Sequence, residues 1–247
     1  MIDKLIQRGR LAAALLLIAG SALGFVYPSQ FFRSYLFGFV FVIGLSLGSL
    51  AILLIYHLSG GRWGAVIRSL LEASIRVLPF LAILFLPIAF GMKHLYLWTD
   101  AVRVQADEIL QQKSIYLNTG FFLARAAVCF GIWIFYSFML NRLTDRQAKQ
   151  DSPDVQSKLQ FASGIGLILY GLTMTFASVD WMMSLDPHWF STIFGLLIIS
   201  GQVLSAFAMM IAVAAWLLNT KPFGDVISAD QFHDLGKLML AFVMIWA

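Results

Sequence analysis

Six long apolar stretches dominate the sequence, and each is long enough to cross a membrane as an α-helix. They cover residues 10–27, 35–57, 69–91, 119–140, 159–183 and 189–218, and a seventh apolar stretch covers residues 235–247. A hydrocarbon core about 30 Å thick requires about 20 helical residues. Hydrophobic residues make up 60% of the chain and charged residues 12%, whereas an ordinary soluble domain carries about 25% charged residues. The sequence therefore predicts an all-α fold, a polytopic transmembrane helix bundle with six full spans and the start of a seventh.

The basic residues predict the orientation of this bundle. On the side of the N-terminus the segments between the spans contain Lys4, Arg8, Arg10, Arg62, Arg68, Arg142, Arg146, Lys149, Lys158, Lys221 and Lys237. The segments on the opposite side contain only Arg33, Lys93, Arg103 and Lys113. Because cytoplasmic loops carry an excess of Lys and Arg, we expect a cytoplasmic N-terminus and an exterior loop over residues 92–119. The same clustering of positive charge into short loops argues against nucleic-acid binding.

The whole chain, residues 1–247, is predicted to be a single integral membrane domain. Its last stretch, 235–247, would rise only about 18 Å as a helix, so we expect the sequence to be the N-terminal part of a longer protein. The first stretch, 10–27, has the basic start and apolar middle of either a signal peptide or a membrane helix. Its length, and the lack of a clear cleavage site before Phe25, favour a membrane helix.

Glu72, Arg76 and His57 form the first group of candidate functional residues. Ionisable side chains inside a membrane cost several kcal/mol unless they are paired or hydrated. Glu72 and Arg76 are four residues apart and therefore share one helix face, and His57 ends the preceding span on the same side. One interpretation is an ion pair that fixes the hairpin. The other is a cytoplasmic proton entry, in which Glu72 exchanges protons with water and Arg76 sets its acidity.

A second group of candidates lies toward the opposite side. Asp180 is near the outer end of the fifth span, and Arg125 is near the outer end of the antiparallel fourth span, so a structural ion pair between them is expected. Tyr170 and Thr173 share a helical stripe with Asp180. Their hydroxyls could hold waters of an outward proton path, although such hydroxyls also bond harmlessly to their own helix.

Small and polar residues within the spans predict a tightly packed bundle. Gly44 and Gly48 are four apart, a spacing that lets membrane helices approach closely. Pro79 and Pro87 predict a kinked third span. Gln202, in the middle of the sixth span, is expected to hydrogen-bond to another helix.

The sequence predicts no metal or haem bound by this chain. The histidines lie on different sides of the predicted membrane, His57 and His233 inside and His94 and His188 outside, whereas axial haem ligands must lie at matching depth. The single cysteine, Cys129, allows neither an internal disulfide nor a thiolate cluster.

Two segments of the sequence resemble a known family. One covers residues 178–195 and contains Asp180-Trp181 and Asp186-Pro187-His188-Trp189; the other covers residues 54–64 and contains Tyr56-His57 and Gly60-Gly61-Arg62-Trp63-Gly64. Together they resemble the NrfD-like membrane subunit of bacterial alternative complex III. The likeness covers the whole chain, and full-length members continue with further membrane helices.

This resemblance implies a multi-pass subunit of a quinol:cytochrome c oxidoreductase in the electron-transfer chain of the bacterial inner (plasma) membrane. The implied partners are a sister NrfD-like subunit, an iron–sulfur subunit and c-type cytochrome subunits, with the lipid bilayer around them. Menaquinol, haem c and iron–sulfur clusters would belong to the complex, with no cofactor on this chain. The implied role is to scaffold the assembly and conduct protons, with Asp186 and His188 in an outer-face motif.

Two alternatives from other classes stay open at this point. A secondary transporter would show Gly- or Pro-interrupted helices at matching positions of two halves, whereas only the third span has internal prolines. A purely structural membrane subunit would differ from the leading hypothesis only in having no proton role.

Overall fold

The computed structural model describes residues 24, 26–61, 63–149, 152–218 and 229–247, and within these ranges the regular structure is helical and no strand is present. The α-helices of this part of the chain are α1 (Pro28–Ser59), α2 (Arg68–Ile75), α3 (Leu78–Leu84), α4 (Leu86–Phe90), α5 (Met92–Leu95), α6 (Ala101–Ala106), α7 (Glu108–Lys113), α8 (Thr119–Lys149), α9 (Pro153–Trp181), α10 (Phe194–Leu217) and α11 (Ala229–Trp246). Short 3-10 turns occur at Leu97–Thr99 and Met183–Leu185.

Five segments of the described chain are long and apolar enough to cross a membrane, which confirms the predicted all-helical fold with several membrane-spanning helices. They are Pro28–Ser59, Arg68–Phe90, Thr119–Lys149, Pro153–Leu185 and Phe194–Leu217. The predicted first span, residues 10–27, lies almost entirely outside the described residues. The predicted start of a seventh span, residues 235–247, belongs to α11, which already begins at Ala229.

The helices extend beyond the apolar stretches that predicted them. The predicted span 35–57 lies within α1, which begins at Pro28, a residue well suited to the first turn of a helix. The predicted span 119–140 continues as α8 to Lys149, because polar residues can prolong a helix once it has left the apolar region. By contrast, α10 begins only at Phe194, since turns occupy the residues just before it.

The third span, Arg68–Phe90, is interrupted rather than simply kinked. Pro79 and Pro87 each stand in the first turn of a new short helix, α3 and α4. Proline has no N–H to bond the carbonyl four residues earlier, so each break leaves backbone acceptors without their usual donors. Near the second break Ile88 N–H bonds to Phe85 O instead of Leu84 O. The hydroxyl of Tyr35 on α1 donates to Leu84 O at 2.7 Å and so satisfies that carbonyl.

Helix α1 forms the centre of the bundle and contacts α2, α9 and α10. Its residues from Leu47 to Leu54 are all buried. A Cβ on Gly48 would overlap the backbone of Gln202 and the side chain of Ala206 on α10. The close approach predicted for this glycine is therefore confirmed, and it brings the backbones of α1 and α10 into contact.

The predicted exterior loop folds into a cap of short helices over one end of the bundle. We call residues 92–118 the cap, this end the Asp180 end and the opposite one the Glu72 end. Trp98 and Leu110 of the cap are buried, and Tyr96 donates its hydroxyl to Trp181 O at 3.1 Å. Aromatic rings in stacked, tilted and edge-to-face contacts fill the core where the cap meets the bundle. They belong to Tyr96 and Trp98 of the cap and to Phe39, Phe85, Phe122, Phe130, Trp133 and Trp181 of the bundle. The cap thus packs on the bundle as part of the same core.

Candidate functional site

The strongest polar contact in the described core is the ion pair between Arg125 on α8 and Asp180 on α9. Arg125 donates from Nε to Asp180 Oδ2 at 2.7 Å and from Nη2 to Oδ1 at 2.9 Å. The exposed fractions of the two side chains are 11% and 2%. A bidentate pair of this kind is among the strongest charge-assisted contacts in proteins. The structure thus forms the pair that the antiparallel arrangement of the two spans predicts.

The cap completes the surroundings of this ion pair. Arg125 Nη1 donates to Tyr116 O at 3.1 Å, and its guanidinium lies 3.8 Å from the ring centre of Tyr116 and 4.3 Å from that of Phe121. Burial, and then the negative charge of Asp180, raise the pKa of Tyr116 and also that of Tyr96. Both phenols therefore stay protonated at neutral pH, where they can donate hydrogen bonds but carry no charge.

The segment after α9 is hydrogen-bonded to the cap. His188 Nε2 lies 2.8 Å from Asp107 Oδ2, Lys113 Nζ donates to Pro187 O at 2.5 Å, and Asp186 Oδ1 accepts from His188 N–H at 3.2 Å. Asp107 is also the N-cap residue of α7. The residues that the resemblance places in an outer-face motif, Asp186 and His188, therefore lie at a junction between the cap and the bundle.

The acidity of Asp107 reflects this junction. Partial desolvation acts to raise the pKa of this carboxyl group, but hydrogen bonds from Leu110 N–H, from His188 and from Ile109 N–H outweigh it. Together they hold the pKa of Asp107 below its ordinary value, so the carboxylate form is favoured by the folded cap.

At the other end of the bundle, the expected pair between Glu72 and Arg76 is not formed. Glu72 Oε1 accepts from Arg68 Nε at 2.8 Å, one turn earlier on α2. Arg76 instead donates from Nε to Asn141 Oδ1 at 2.7 Å, and its Nη2 lies 3.7 Å from Asp145 Oδ1. The prediction assumed a continuous helix, whereas α2 ends at Ile75 and Arg76 enters a turn that leads it toward α8.

His57 contacts Ser163, whereas its position in the sequence groups it with Glu72 and Arg76. Its Nδ1 lies 3.3 Å from Ser163 Oγ on α9, and among the described residues its Nε2 has no hydrogen-bond partner. The ring is almost fully buried between α1 and α9. The structure therefore gives no hydrogen bond between His57 and either Glu72 or Arg76, and the three predicted residues do not form one cluster.

A polar cleft opens beside Glu72. It has a volume of about 490 Å³ and is lined by Arg68, Glu72, Asp145 and Gln147 among others. Arg68 spans it, because its Nη2 also donates to Gln147 Oε1 at 3.0 Å. The side chain of Glu72 is 13% exposed. The carboxylate is thus close to the core and still in reach of water at this end.

The predicted stripe of Tyr170, Thr173 and Asp180 is divided among different partners. Tyr170 donates its hydroxyl to Gln202 Oε1 at 3.1 Å, which gives Gln202 the interhelical bond predicted for it. Thr173 Oγ1 donates to Leu169 O at 2.6 Å and accepts from the indole N–H of Trp133 on α8. The three side chains lie on one face of α9 but do not hydrogen-bond to one another.

The structure shows a row of polar side chains along α8 that the sequence reasoning missed. One such residue recurs every four positions, and we call the set the polar row: Arg125, Cys129, Trp133, Ser137, Asn141 and Asp145. Twenty helical residues rise about 30 Å, the thickness of a hydrocarbon core. Only the spacing of four in the sequence indicates the row, because its middle members are not charged.

Each member of the polar row contacts a neighbouring span. Toward the Asp180 end the partner is α9: Cys129 Sγ lies 3.6 Å from Thr173 O, and Trp133 Nε1 donates to Thr173 Oγ1 at 2.9 Å. Toward the Glu72 end the partner is the broken span: Ser137 Oγ donates to Ile75 O at 2.7 Å. The row therefore extends from the buried ion pair at one end to the contacts of Arg76 with Asn141 and Asp145 at the other.

In the described part of the chain, no group of three or more His, Cys, Asp or Glu side chains is arranged to hold a metal ion. A comparison with protein-family models finds no matching family, and a comparison with curated proteins finds no matching relative. Over the described residues, the fold and the site thus define an all-helical chain with several membrane-spanning helices and a polar row that extends between two charged ends.

Proposed function

We propose that this chain is an integral membrane subunit of a quinol:cytochrome c oxidoreductase of the alternative complex III type, where it scaffolds the complex and conducts protons. The resemblance of residues 54–64 and 178–195 to NrfD-like subunits supports the family. In this proposal the chain lies in the bacterial inner membrane with the N-terminus and the Glu72 end in the cytoplasm. Its partners are the sister NrfD-like subunit, the iron–sulfur subunit and the c-type cytochromes, which carry the haem and the clusters.

The polar row is the observation that carries the proton role. Ionisable groups inside a membrane are costly and are candidates for functional sites by default. Here they recur at every turn of α8, from the Arg125–Asp180 pair to Asp145 beside the polar cleft. In this proposal the groups that bond α8 to its neighbours also line the path.

The proposed path begins at Glu72, whose carboxylate faces the water-accessible cleft. Asn141 and Ser137 continue it into the membrane, and Asp180 ends it at the opposite side. Trp133 divides the path, because an indole N–H can donate a hydrogen bond but cannot accept one. In this proposal the contact between Trp133 and Thr173 is therefore the point at which the path is interrupted in this structure.

The cap supports the scaffold role. It is joined to the bundle by the His188–Asp107 contact and by the bond from Lys113 to Pro187 O. A folded and anchored surface of this kind provides a defined platform for partner subunits at the Asp180 end.

Membership of the complex is tested by purifying the tagged full chain from its native membrane. We expect haem c, iron–sulfur clusters and quinol:cytochrome c reductase activity in the same particle. Purification of the chain without such partners would contradict the proposal. Solute uptake by vesicles that contain only this chain would favour a transporter, a class in which interrupted helices like Arg68–Phe90 occur.

The proton role has a test of its own. In the purified complex, Glu72→Gln should leave assembly intact and lower the number of protons moved per electron. Glu108→Gln, which changes an exposed carboxylate at the Asp180 end, is the matched control. An unchanged proton stoichiometry in Glu72→Gln would remove conduction and leave only the scaffold.

A further inference from the structure

Helix α8 carries two arginines that the described part of the chain leaves without a counter-ion. Arg142 and Arg146 are exposed, and within the described ranges neither makes a hydrogen bond or an ion pair. The carboxylate between them in the sequence, Asp145, lies 3.7 Å from Arg76 instead. Residues four apart are neighbours on a helix surface. The two guanidinium groups therefore form one site of positive charge.

An apolar groove leads along the outward face of α8 to these arginines. It has a volume of about 420 Å³, and Phe135, Phe138 and Met139 line it next to the two guanidinium groups. Phe135 is 59% exposed and Phe138 is 64% exposed. One turn before Phe135, a Cβ on Gly131 would meet no atom within 4 Å, so the face stays open there. From Gly131 to Arg142 the helix rises about 16 Å, which is about half of a hydrocarbon core.

The order of apolar wall and positive charge along α8 matches one leaflet of a bilayer. The apolar stretch that predicts this span ends at residue 140, so Arg142 lies about 3 Å beyond it along the helix. At this depth the acyl chains of a phospholipid meet its phosphate. A free phosphate ion would match the arginines but not the apolar wall, and a lipid without net charge would match only the wall. A phospholipid with a net negative charge matches both.

The charge of the remaining sequence disfavours an occupant from this chain itself. The residues outside the described ranges contain the acids Asp3, Asp151 and Asp225 and the bases Lys4, Arg8, Arg10, Arg62 and Lys221. They therefore carry more positive than negative charge, which is repelled by the two arginines. A second copy of the chain, with its formal net charge of +4 at pH 7, is disfavoured for the same reason. Lipid, by contrast, surrounds every membrane-spanning helix that lacks a protein neighbour.

We propose that this groove binds an anionic phospholipid, whose phosphate is held by Arg142 and Arg146 and whose acyl chain lies along Phe135 and Phe138. Guanidinium groups suit phosphate because they can donate two parallel hydrogen bonds to its oxygens. Basic pockets beside membrane helices bind anionic head groups in the same way. The inference goes beyond the proposed function, since it requires only that the chain lies in a membrane.

The test titrates the purified full chain in detergent with phosphatidylglycerol, which is anionic, or phosphatidylcholine, which has no net charge. Native mass spectrometry then measures how much protein carries a bound lipid. We expect wild type to prefer phosphatidylglycerol, and the double variant Arg142→Gln with Arg146→Gln to reduce this preference about 30-fold, the equivalent of about 1 kcal/mol for each cation. The matched control is Arg33→Gln with Lys93→Gln, which removes two exposed cations at the Asp180 end and should keep the preference.

Two results of this titration would overturn the proposal. One is a wild type that does not prefer phosphatidylglycerol, and the other is an equal loss of preference in the two double variants, with melting curves that show both folded. Inorganic phosphate should not displace the lipid. Displacement by phosphate would assign the arginines to a free anion and would also overturn the proposal.

A crosslinking experiment identifies the occupant without changing the arginines. A photoreactive phenylalanine analogue in place of Phe138, in the full chain in its native membrane, should crosslink to phospholipid. A crosslink to residues 1–23 or 219–228, or to another protein chain, would show a protein-covered face and overturn the proposal. Because lipid binding to the full chain alone needs no partner subunit, its failure is separate from failure of the proposed complex.

Discussion

Ser137 on α8 donates its hydroxyl to the carbonyl of Ile75 at 2.7 Å, at the position where Pro79 removes the donor that a continuous helix would supply. The polar row and the broken span are thus parts of one arrangement. The Ser137 side chain of α8 supplies the hydrogen-bond donor that the backbone carbonyl of Ile75 lacks.

The first prediction concerns this repair. Ser137→Ala should lower the free energy of unfolding by about 1–3 kcal/mol, because the Ile75 carbonyl would remain buried without a donor. Ser59→Ala is the control: its hydroxyl is exposed and bonds within α1, so little change is expected. Denaturant unfolding in detergent micelles compares the two variants. Equal stabilities would show that the Ile75 carbonyl finds another donor.

The second prediction concerns the buried ion pair. Arg125→Met should destabilise the protein by about 3–5 kcal/mol, because Asp180 would keep a buried charge with no counter-charge. The double variant Arg125→Met with Asp180→Leu should recover much of this loss. Asp154→Ala, which breaks an exposed pair with Lys158, should change stability by less than about 1 kcal/mol. The same unfolding assay would contradict the buried pair if the single and double variants were equally unstable.

The third prediction compares two glycines of α1. Gly48→Ala should strongly destabilise the bundle, because the new Cβ would overlap the backbone of α10 at Gln202. Gly38→Ala meets no atom within 4 Å and should be neutral, or stabilising by up to about 1 kcal/mol through helix propensity. Thermal melting of the two variants provides the measurement. A tolerated alanine at position 48 would contradict the close contact of α1 with α10.

The fourth prediction is a pH dependence of the cap. The pKa of Asp107 is lowered from its ordinary 3.8 by folding, so its contribution to stability is present above pH 3.8. That contribution is lost as the pH falls through the lowered value and the carboxylate is protonated. After correction for the intrinsic pH dependence of amide exchange, the protection of residues 92–118 should therefore fall as the pH drops below 3.8.

In Asp107→Asn the cap should exchange faster already at neutral pH and lose this acid transition. Asp186→Asn, which changes an exposed carboxylate nearby, should keep it. An acid transition that is the same in all three proteins would assign the effect to another group.

The sequence predicts the Arg125–Asp180 contact because two physical rules apply without knowledge of the fold. Sequential spans are antiparallel, and buried opposite charges at one level must pair. The prediction of a Glu72–Arg76 pair is wrong because residues four apart share a face only on an unbroken helix, and α2 ends at Ile75. The end of α2 depends on Pro79, and its exact position depends on how neighbouring side chains satisfy the freed carbonyls.

Sequence patterns also do not predict other parts of the site, because these parts depend on contacts between residues far apart in the sequence. Apolar periodicity does not reveal the cap, whose helices are short and held by contacts such as His188 with Asp107. The polar row has a visible spacing, but Ser137 and Asn141 are weak signals individually. Their importance emerges only when the structure shows which carbonyl or guanidinium each one meets.

The span Arg68–Phe90 consists of three short helices, α2, α3 and α4, separated by two breaks. Each break is hydrogen-bonded to a different neighbouring helix: the first to α8 through Ser137 and the second to α1 through Tyr35. Glu72 lies on the first of these segments, and the last residue of that segment, Ile75, is bonded to α8. The placement of this acid beside the cleft therefore depends on α8 as well as on its own span.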